Sequence, residues 1–312
     1  MRILAVDDDP LILDLVSMVL KQQGHDDICT AGSSSEALTM LGQPYEAYDV
    51  LILDIDMPEM DGVALCRRIR QLPAYQSTPI IMLTAKSDAY SIEQAFGAGA
   101  NDYITKPFDV KDIGTRLEIA KRMMWESRKT FMLGSGPMLG DSELGEFGID
   151  DPVRITGLYQ HTDTFSLGNY LSQLARRRVD ESSVFAAKIN SFEDIFATCS
   201  TEDLLLVLAE TSKAISLAAQ NKRLLNAYMG SGIFMCIATD DVRNAWPGME
   251  DRVDGFLKSS RRLRTADMAI DVSVTIGRPF RPIASKTKRV RQTFDRAVSV
   301  LERRLTSVAN AN

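Results

Sequence analysis

The twelve residues Leu51-Ile52-Leu53-Asp54-Ile55-Asp56-Met57-Pro58-Glu59-Met60-Asp61-Gly62 constrain the fold of this chain more than any other stretch. A short apolar run stops at an acid and meets Pro and Gly punctuation, the pattern of a parallel strand covered on both faces. Asp54 is then the last side chain of a buried strand and emerges at the rim of its sheet. In open α/β sheets ligands bind in the crevice beyond the carboxyl ends of the strands, which makes a carboxylate there a candidate site. A lone strand-end Asp is also an ordinary solvated residue, so the reading depends on what the other strands deliver.

They deliver matching chemistry. Residues 2–6 form a short apolar strand that ends at Asp7-Asp8, followed by Asp9 and Pro10. Asp9 before Pro10 reads as a helix cap with Pro at the first helical position. Asp7 and Asp8 are adjacent carboxylates that repel each other, and a hard divalent cation is the usual remedy. The helix that follows is expected to turn Leu11, Leu15 and Met18 or Val19 to one face. A weak strand near 27–31 comes next, and Ser33 with Glu36 has the spacing of a capping box. After the Asp54 strand and its helix, an apolar strand over 79–83 ends in Thr84-Ala85. A further helix closes at Gly97-Ala98-Gly99, and a last strand, 102–105, ends in Lys106-Pro107. Alternating strands and helices with short connections predict a doubly wound α/β domain: five parallel strands and five helices joined by right-handed crossovers. One rim then collects three acids, a hydroxyl and an ammonium.

The motifs V-D-D-D-P, L-D-I-D-M-P-E-M-D-G, L-T-A and Y-I-T-K-P-F resemble the receiver domain of two-component response regulators, over residues 1 to about 122. The resemblance implies that Asp54 is the phosphoacceptor and that Asp7 and Asp8 hold Mg²⁺, with the backbone carbonyl of Asp56 added. It implies that Thr84 and Lys106 grip phosphoryl oxygens, that Tyr103 is a rotating switch aromatic, and that the Lys106-Pro107 bond is cis. The chemistry is coherent on its own terms. Phosphoryl transfer to a carboxylate depends on positioning and charge neutralisation, which a divalent ion and a lysine supply. The product adds up to about two negative charges and three acceptor oxygens. Inverting a resting equilibrium of about 1:99 takes roughly 5.5 kcal/mol, hence several new contacts. Neither histidine reads as a phosphoryl donor: His25 sits in a turn-like stretch and His161 among polar residues, and both are expected at the surface. The group must come from a sensor histidine kinase, a phosphotransfer protein or a small acyl phosphate.

Charge divides the chain. Residues 1–125 carry 11 basic and 19 acidic side chains, residues 126–152 carry 2 and 6, and residues 153–312 carry 23 and 17, a balance of −8, −4 and +6. Cys29, Cys66, Cys199 and Cys236 are too scattered for a metal knuckle or a disulfide framework, which points to a reducing compartment and a cytoplasmic protein. No segment is long and apolar enough for a membrane anchor. With 312 residues, two domains of ordinary size are expected. The boundaries read as a receiver over 1–122, a helix extension and Gly-rich acidic tether over 123–152, and a second domain over 153–312. Ile113, Leu117, Ala120 and Met124 form a seam suited either to another helix or to the receiver's own sheet.

Residues 153–312 read as an α+β domain. Helices are expected near 165–178, 202–219, 249–264 and 294–305, with strands near 184–189, 223–229, 233–239 and 272–276. The strands flanking Gly230-Ser231-Gly232 pair as a hairpin. This order resembles the GGDEF domain of diguanylate cyclases. Its traces are Ile155-Thr156-Gly157-Leu158, Lys188-Ile189-Asn190-Ser191-Phe192, Tyr228-Met229-Gly230-Ser231-Gly232-Ile233-Phe234, Val274-Thr275-Ile276-Gly277 and Phe294-Asp295-Arg296-Ala297. The departures fall on the residues of the chemistry. The signature G-G-D/E-E-F stands here as G-S-G-I-F, so its acids are replaced by Gly232 and Ile233. The metal-binding aspartates align with Lys188 and Asn190, the guanine readers with Phe196 and Ala197, and the inhibitory R-x-x-D with Asn221 and Leu224. A lysine 4 Å from a divalent site costs about 4 kcal/mol per unit charge at an effective dielectric of 20. The expectation is a degenerate, catalytically inactive domain acting by protein binding or dimerisation. An atypical cyclase is the alternative. A nucleic-acid-binding regulator, suggested by Arg176-Arg177-Arg178 and by Lys286, Lys288, Arg289 and Arg291, is disfavoured because no recognition-helix pattern accompanies them.

Overall fold

The structure, a computed structural model, describes residues 1–43, 47–85, 89–126, 132–133, 148–155, 158, 160–220, 223–239, 246–265, 268–285 and 288–309. The chain divides into two compact units, Met1–Gly134 and Ser135–Asn312. The division falls within the 123–152 tether, whose residues 127–131 and 134–147 lie outside the described set.

The first unit runs β1 (Ile3–Val6), α1 (Pro10–Gln22), β2 (Ile28–Ala31), α2 (Ser34–Leu41), β3 (Val50–Asp54), α3 (Gly62–Gln71), β4 (Ile80–Thr84), α4 (Ala89–Gly97), β5 (Asp102–Thr105) and α5 (Val110–Glu126). Caps start the helices where the sequence places them. Asp9 accepts from the Leu11 amide with Pro10 at the first position, Ser33 accepts from Glu36, and Asp61 accepts from Ala64. All strand pairs are parallel, in the order β2-β1-β3-β4-β5. The chain therefore reverses direction across the sheet between β1 and β3, the point at which open α/β sheets form their crevice.

Strand periodicity splits the core in two. Leu4, Val6, Leu51, Leu53 and Met82 face Ala37, Leu41, Leu65, Ile69 and Ala95. Ile3, Ala5, Ile52 and Ile81 face Val16, Val19 and Leu20 of α1 and Ile113, Leu117 and Ala120 of α5. One expectation is corrected here, and one that the sequence left open is decided. On α1, Leu11 and Met18 are 73% and 51% exposed and Leu15 is also exposed, while Val16, Val19 and Leu20 are buried. The helix is apolar on most sides, so its spacing does not say which stripe the sheet covers. The Ile113-Leu117-Ala120 seam, open between two uses in the sequence, is consumed by its own sheet; the Met124 side chain lies outside the described residues.

Two-residue strands β6 (Met132–Leu133) and β7 (Arg154–Ile155) precede the second unit's main elements. These are α6 (Thr164–Gln173), α7 (Arg176–Glu181), β8 (Ser183–Ile189), α8 (Phe192–Thr198), α9 (Thr201–Ala218), β9 (Leu224–Gly230), β10 (Ile233–Ala238), α10 (Met249–Ser259), β11 (Arg264–Thr265), β12 (Met268–Ala269), β13 (Val274–Ile276) and α11 (Arg289–Ala309). The four-stranded sheet has the order β13-β8-β10-β9 with every neighbouring pair antiparallel. β8 and β9 thus run parallel with β10 between them, a split β-α-β arrangement.

The helix expected over 165–178 is two helices, broken at Leu174 and Ala175. Arg289 explains the break: its buried guanidinium donates to the carbonyl oxygens of Leu171 and Leu174, which would otherwise be orphaned at the end of α6. Arg289 is therefore removed from the exposed basic run in which the sequence placed it, and Lys286 of that run lies outside the described residues. The helix expected over 249–264 ends at Ser259, where Ser260 Oγ donates to Glu210. Among the described residues no helix is long and apolar enough to cross a membrane.

Candidate functional site

Strands β1, β3, β4 and β5 carry the predicted polar residues to one rim because the sheet is parallel and in register. Val6 pairs with Leu53, so Asp7 follows directly beside Asp54; Asp54 pairs with Leu83, one residue before Thr84; and Thr84 pairs with Thr105, one residue before Lys106. The β5 end is tied down by the Lys106 amide donating to the Thr84 carbonyl at 2.7 Å. The Lys106-Pro107 bond is cis.

The side chains converge. Lys106 Nζ lies 2.6 Å from Asp7 Oδ2 and 2.6 Å from Asp54 Oδ1. Asp7, Asp54 and Thr84 are buried, while Asp8 and Asp56 are exposed. Asp7, Asp8 and Asp54 each offer a carboxylate oxygen within 4.8 Å of the others'. Asp7 Oδ1 also accepts from the Asp9 amide at 3.0 Å. Burial pushes the Asp54 carboxyl above the usual aspartate range, and the negative charge of Asp7 adds to the rise; Lys106 and the Asp56 amide oppose it. Burial works against the Lys106 ammonium, but its hydrogen bonds to Asp54 and Asp7 outweigh that and hold it above the ordinary lysine value. Among the described residues, the site is a concentrated negative charge met by the Lys106 ammonium.

Tyr103 is half-buried on β5 and meets Phe96 edge to face, with ring centroids 6.3 Å apart. The loop after Asp54 is held by α2 and by its own backbone. Ser34 Oγ donates to the Met60 carbonyl at 2.7 Å, and the Gly62 amide donates to the Ile55 carbonyl at 3.0 Å. A Cβ on Gly62 would overlap the Asp54 carbonyl oxygen. The Asp-Gly pair was legible in the sequence as a turn; that Gly62 lets α3 start against the backbone of Asp54 was not.

Comparison with known proteins agrees with this geometry. Residues 3–118 match the response regulator receiver domain. This segment is a receiver domain. The chain is 37% identical over 142 residues to the DNA-binding dual master transcriptional regulator RpaA of Synechocystis sp., a match covering 44% of this chain and 57% of that protein. It is 37% identical over 121 residues to the DNA-binding response regulator MtrA of Mycolicibacterium smegmatis, covering 39% and 50%. The chain thus spans about half the length of the curated relatives it matches. The chemotaxis protein CheY4 of Vibrio cholerae has 31% identity and a TM-score of 0.36, covering 38% of this chain and 97% of that one.

The second unit places its predicted residues differently. Lys188 Nζ pairs with Glu193 Oε1 at 2.9 Å. Asn190 Nδ2 donates to Ser273 Oγ at 2.9 Å, and Asn190 Oδ1 accepts from Thr275 at 2.8 Å. Gly230, Ser231 and Gly232 lie at the β9–β10 turn, all at positive φ, followed by Ile233 and a fully buried Phe234. Thr156, Gly157 and Asn221 lie outside the described residues. The surface placement expected for His161 is overturned. It is 4% exposed, with Nδ1 2.7 Å from Asn226 Oδ1 and 3.1 Å from Ser212 Oγ. Polar neighbours in sequence did not reveal that β9 and α9 close over it.

Proposed function

We propose that this chain is a response regulator whose Asp54 accepts a phosphoryl group from a sensor histidine kinase or a phosphotransfer protein. The observation that carries the reading is Lys106 Nζ held 2.6 Å from both Asp7 and Asp54 at the crevice of the sheet. An Asp54 oxygen attacks phosphorus, the donor's nitrogen or acyl oxygen leaves, and an aspartyl phosphate remains. Lys106 already touches an Asp54 oxygen, so it is placed to meet the charge that arrives there. Thr84, buried one residue past the register partner of Asp54, supplies a hydroxyl for a phosphoryl oxygen, and Tyr103 is the aromatic that responds.

Asp7, Asp8 and Asp54 form an all-oxygen, anionic donor set of the kind hard divalent cations take, with the Asp56 carbonyl nearby in sequence. Mg²⁺ held there would neutralise charge on the group being transferred. For the second unit we infer a degenerate GGDEF-like output domain without cyclase activity, acting in the cytoplasm through protein binding or dimerisation. The Lys188–Glu193 pair and the hydrogen bonds of Asn190 to Ser273 and Thr275 support this, because neither position 188 nor position 190 offers a carboxylate. Incubation with a small acyl phosphate and Mg²⁺, followed by intact mass measurement, tests the central claim. Wild type is expected to gain one phosphoryl group and Asp54→Asn none; an unmodified wild type refutes the assignment.

A further inference from the structure

The β9–β10 turn is covered by a piece of chain distant from it in sequence. The Ser231 amide donates to the Ile149 carbonyl at 2.7 Å, and Ser231 Oγ donates to Asp150 Oδ1. A Cβ on Gly230 would collide with the Asp150 backbone, so residues 148–151 lie directly on the turn with no side chain between. On its other side the turn is closed by the core. A Cβ on Gly232 would sit 2.6 Å from Phe192 Cγ, and the Gly232 amide donates to the Tyr228 hydroxyl at 3.2 Å.

The two sides differ in strength. Phe192, Tyr228 and Phe234 are fully buried, whereas Gly148 and Asp150 are exposed and Ile149 and Asp151 half-buried. Beyond exposed Pro152 the chain is anchored again, with Val153, Arg154 and Ile155 buried. Ser231 is a non-glycine residue at φ 51, a strained conformation that persists where contacts hold it. Gly148 and Asp151 close their own small loop, through Gly148 N to Asp151 Oδ2 at 2.8 Å and Asp151 N to Gly148 O at 3.0 Å, so the segment keeps its shape as a piece.

We propose that Gly148–Asp151 is a detachable strap, latched over the β9–β10 turn by Ser231 and hinged at Pro152, which opens without the sheet unfolding. Latched, it consumes the Ser231 amide and shields the turn. Released, it frees that amide and the Asp150 carboxylate for another partner. The inference does not depend on phosphorylation of Asp54 or on the absence of cyclase activity.

Hydrogen exchange on the full chain tests it, comparing wild type with Ser231→Ala and Gly230→Ala. Ser231→Ala removes a charge-assisted hydrogen bond, and peptides covering 148–151 and the turn are expected to exchange about tenfold faster or more. Gly230→Ala drives a methyl into the strap and is expected to do the same. Amides of Ala187 and Met235, at the centre of the β8–β10 pair, keep wild-type protection in both. Unchanged exchange of strap and turn in both variants would overturn the proposal. So would loss of protection in strap and sheet together, because the segment would then belong to the cooperative core.

Discussion

At the scale of single residues, His161 carries a consequence for pH. Its Nδ1 donates to Asn226 Oδ1, which also accepts from Ser212, while Asn226 Nδ2 donates to Ser216; Nε2 is buried without a partner among the described residues. Burial holds its pKa down to about 4; nearby Arg154 lowers it further, while Asn226 and Asp163 act in the opposite sense. Unfolded, the imidazole takes a proton below about pH 6.5. Between these values the unfolded chain binds more protons than the folded one, so stability falls as pH drops from 6.5 towards 4. The full loss is about 3 kcal/mol. Urea unfolding of the second unit at pH 7, 5.5 and 4.5 is expected to show this decline, and His161→Gln to flatten it. The rim residues Asp7, Asp54, Thr84 and Lys106 were legible one by one, because each stands at the end of a short apolar strand. His161 was not, because its burial comes from β9 and α9, far away in sequence.

At the scale of elements, α1 and α5 share a lesson about periodicity. A stripe of apolar residues fixes a helix and its possible faces, but the face used depends on the sheet beneath. On α5 the Ile113-Leu117-Ala120 stripe is buried against Val50, Ile52 and Leu83, so the first unit's stability depends on it. Leu117→Ala is expected to cost about 2–5 kcal/mol, measured as a lowered urea midpoint of the receiver unit with an unchanged denaturant slope. A cost below about 1 kcal/mol would mean that the seam serves another helix instead. The α6–α7 break belongs to the same scale. Residues 165–178 form a continuous helical pattern, and Arg289, more than a hundred positions later, supplies donors to the carbonyls at the end of α6.

At the scale of the whole molecule, the two units keep different kinds of site. The first gathers buried acids around Lys106, and the second closes its sheet end with Lys188–Glu193, Asn190–Ser273–Thr275 and a turn, Gly230-Ser231-Gly232, bearing no acid. Purified protein incubated with GTP and Mg²⁺ is accordingly expected to yield no cyclic dinucleotide by chromatography; product formation would reverse the reading of the second unit. Legible in the residues alone were the alternating α/β order of the first unit, the rim to which Asp7, Asp54, Thr84 and Lys106 are delivered, and the hairpin of the second. These follow from local rules: a period of two in strands, caps and turn residues, and the fixed hand of crossovers. Tertiary structure alone decided which stripe of α1 meets the sheet, where α6 ends, that His161 is buried, and that residues 148–151 lie on the β9–β10 turn. Each of these is a contact between segments distant along the chain, and its energy depends on neighbours that a local pattern does not contain.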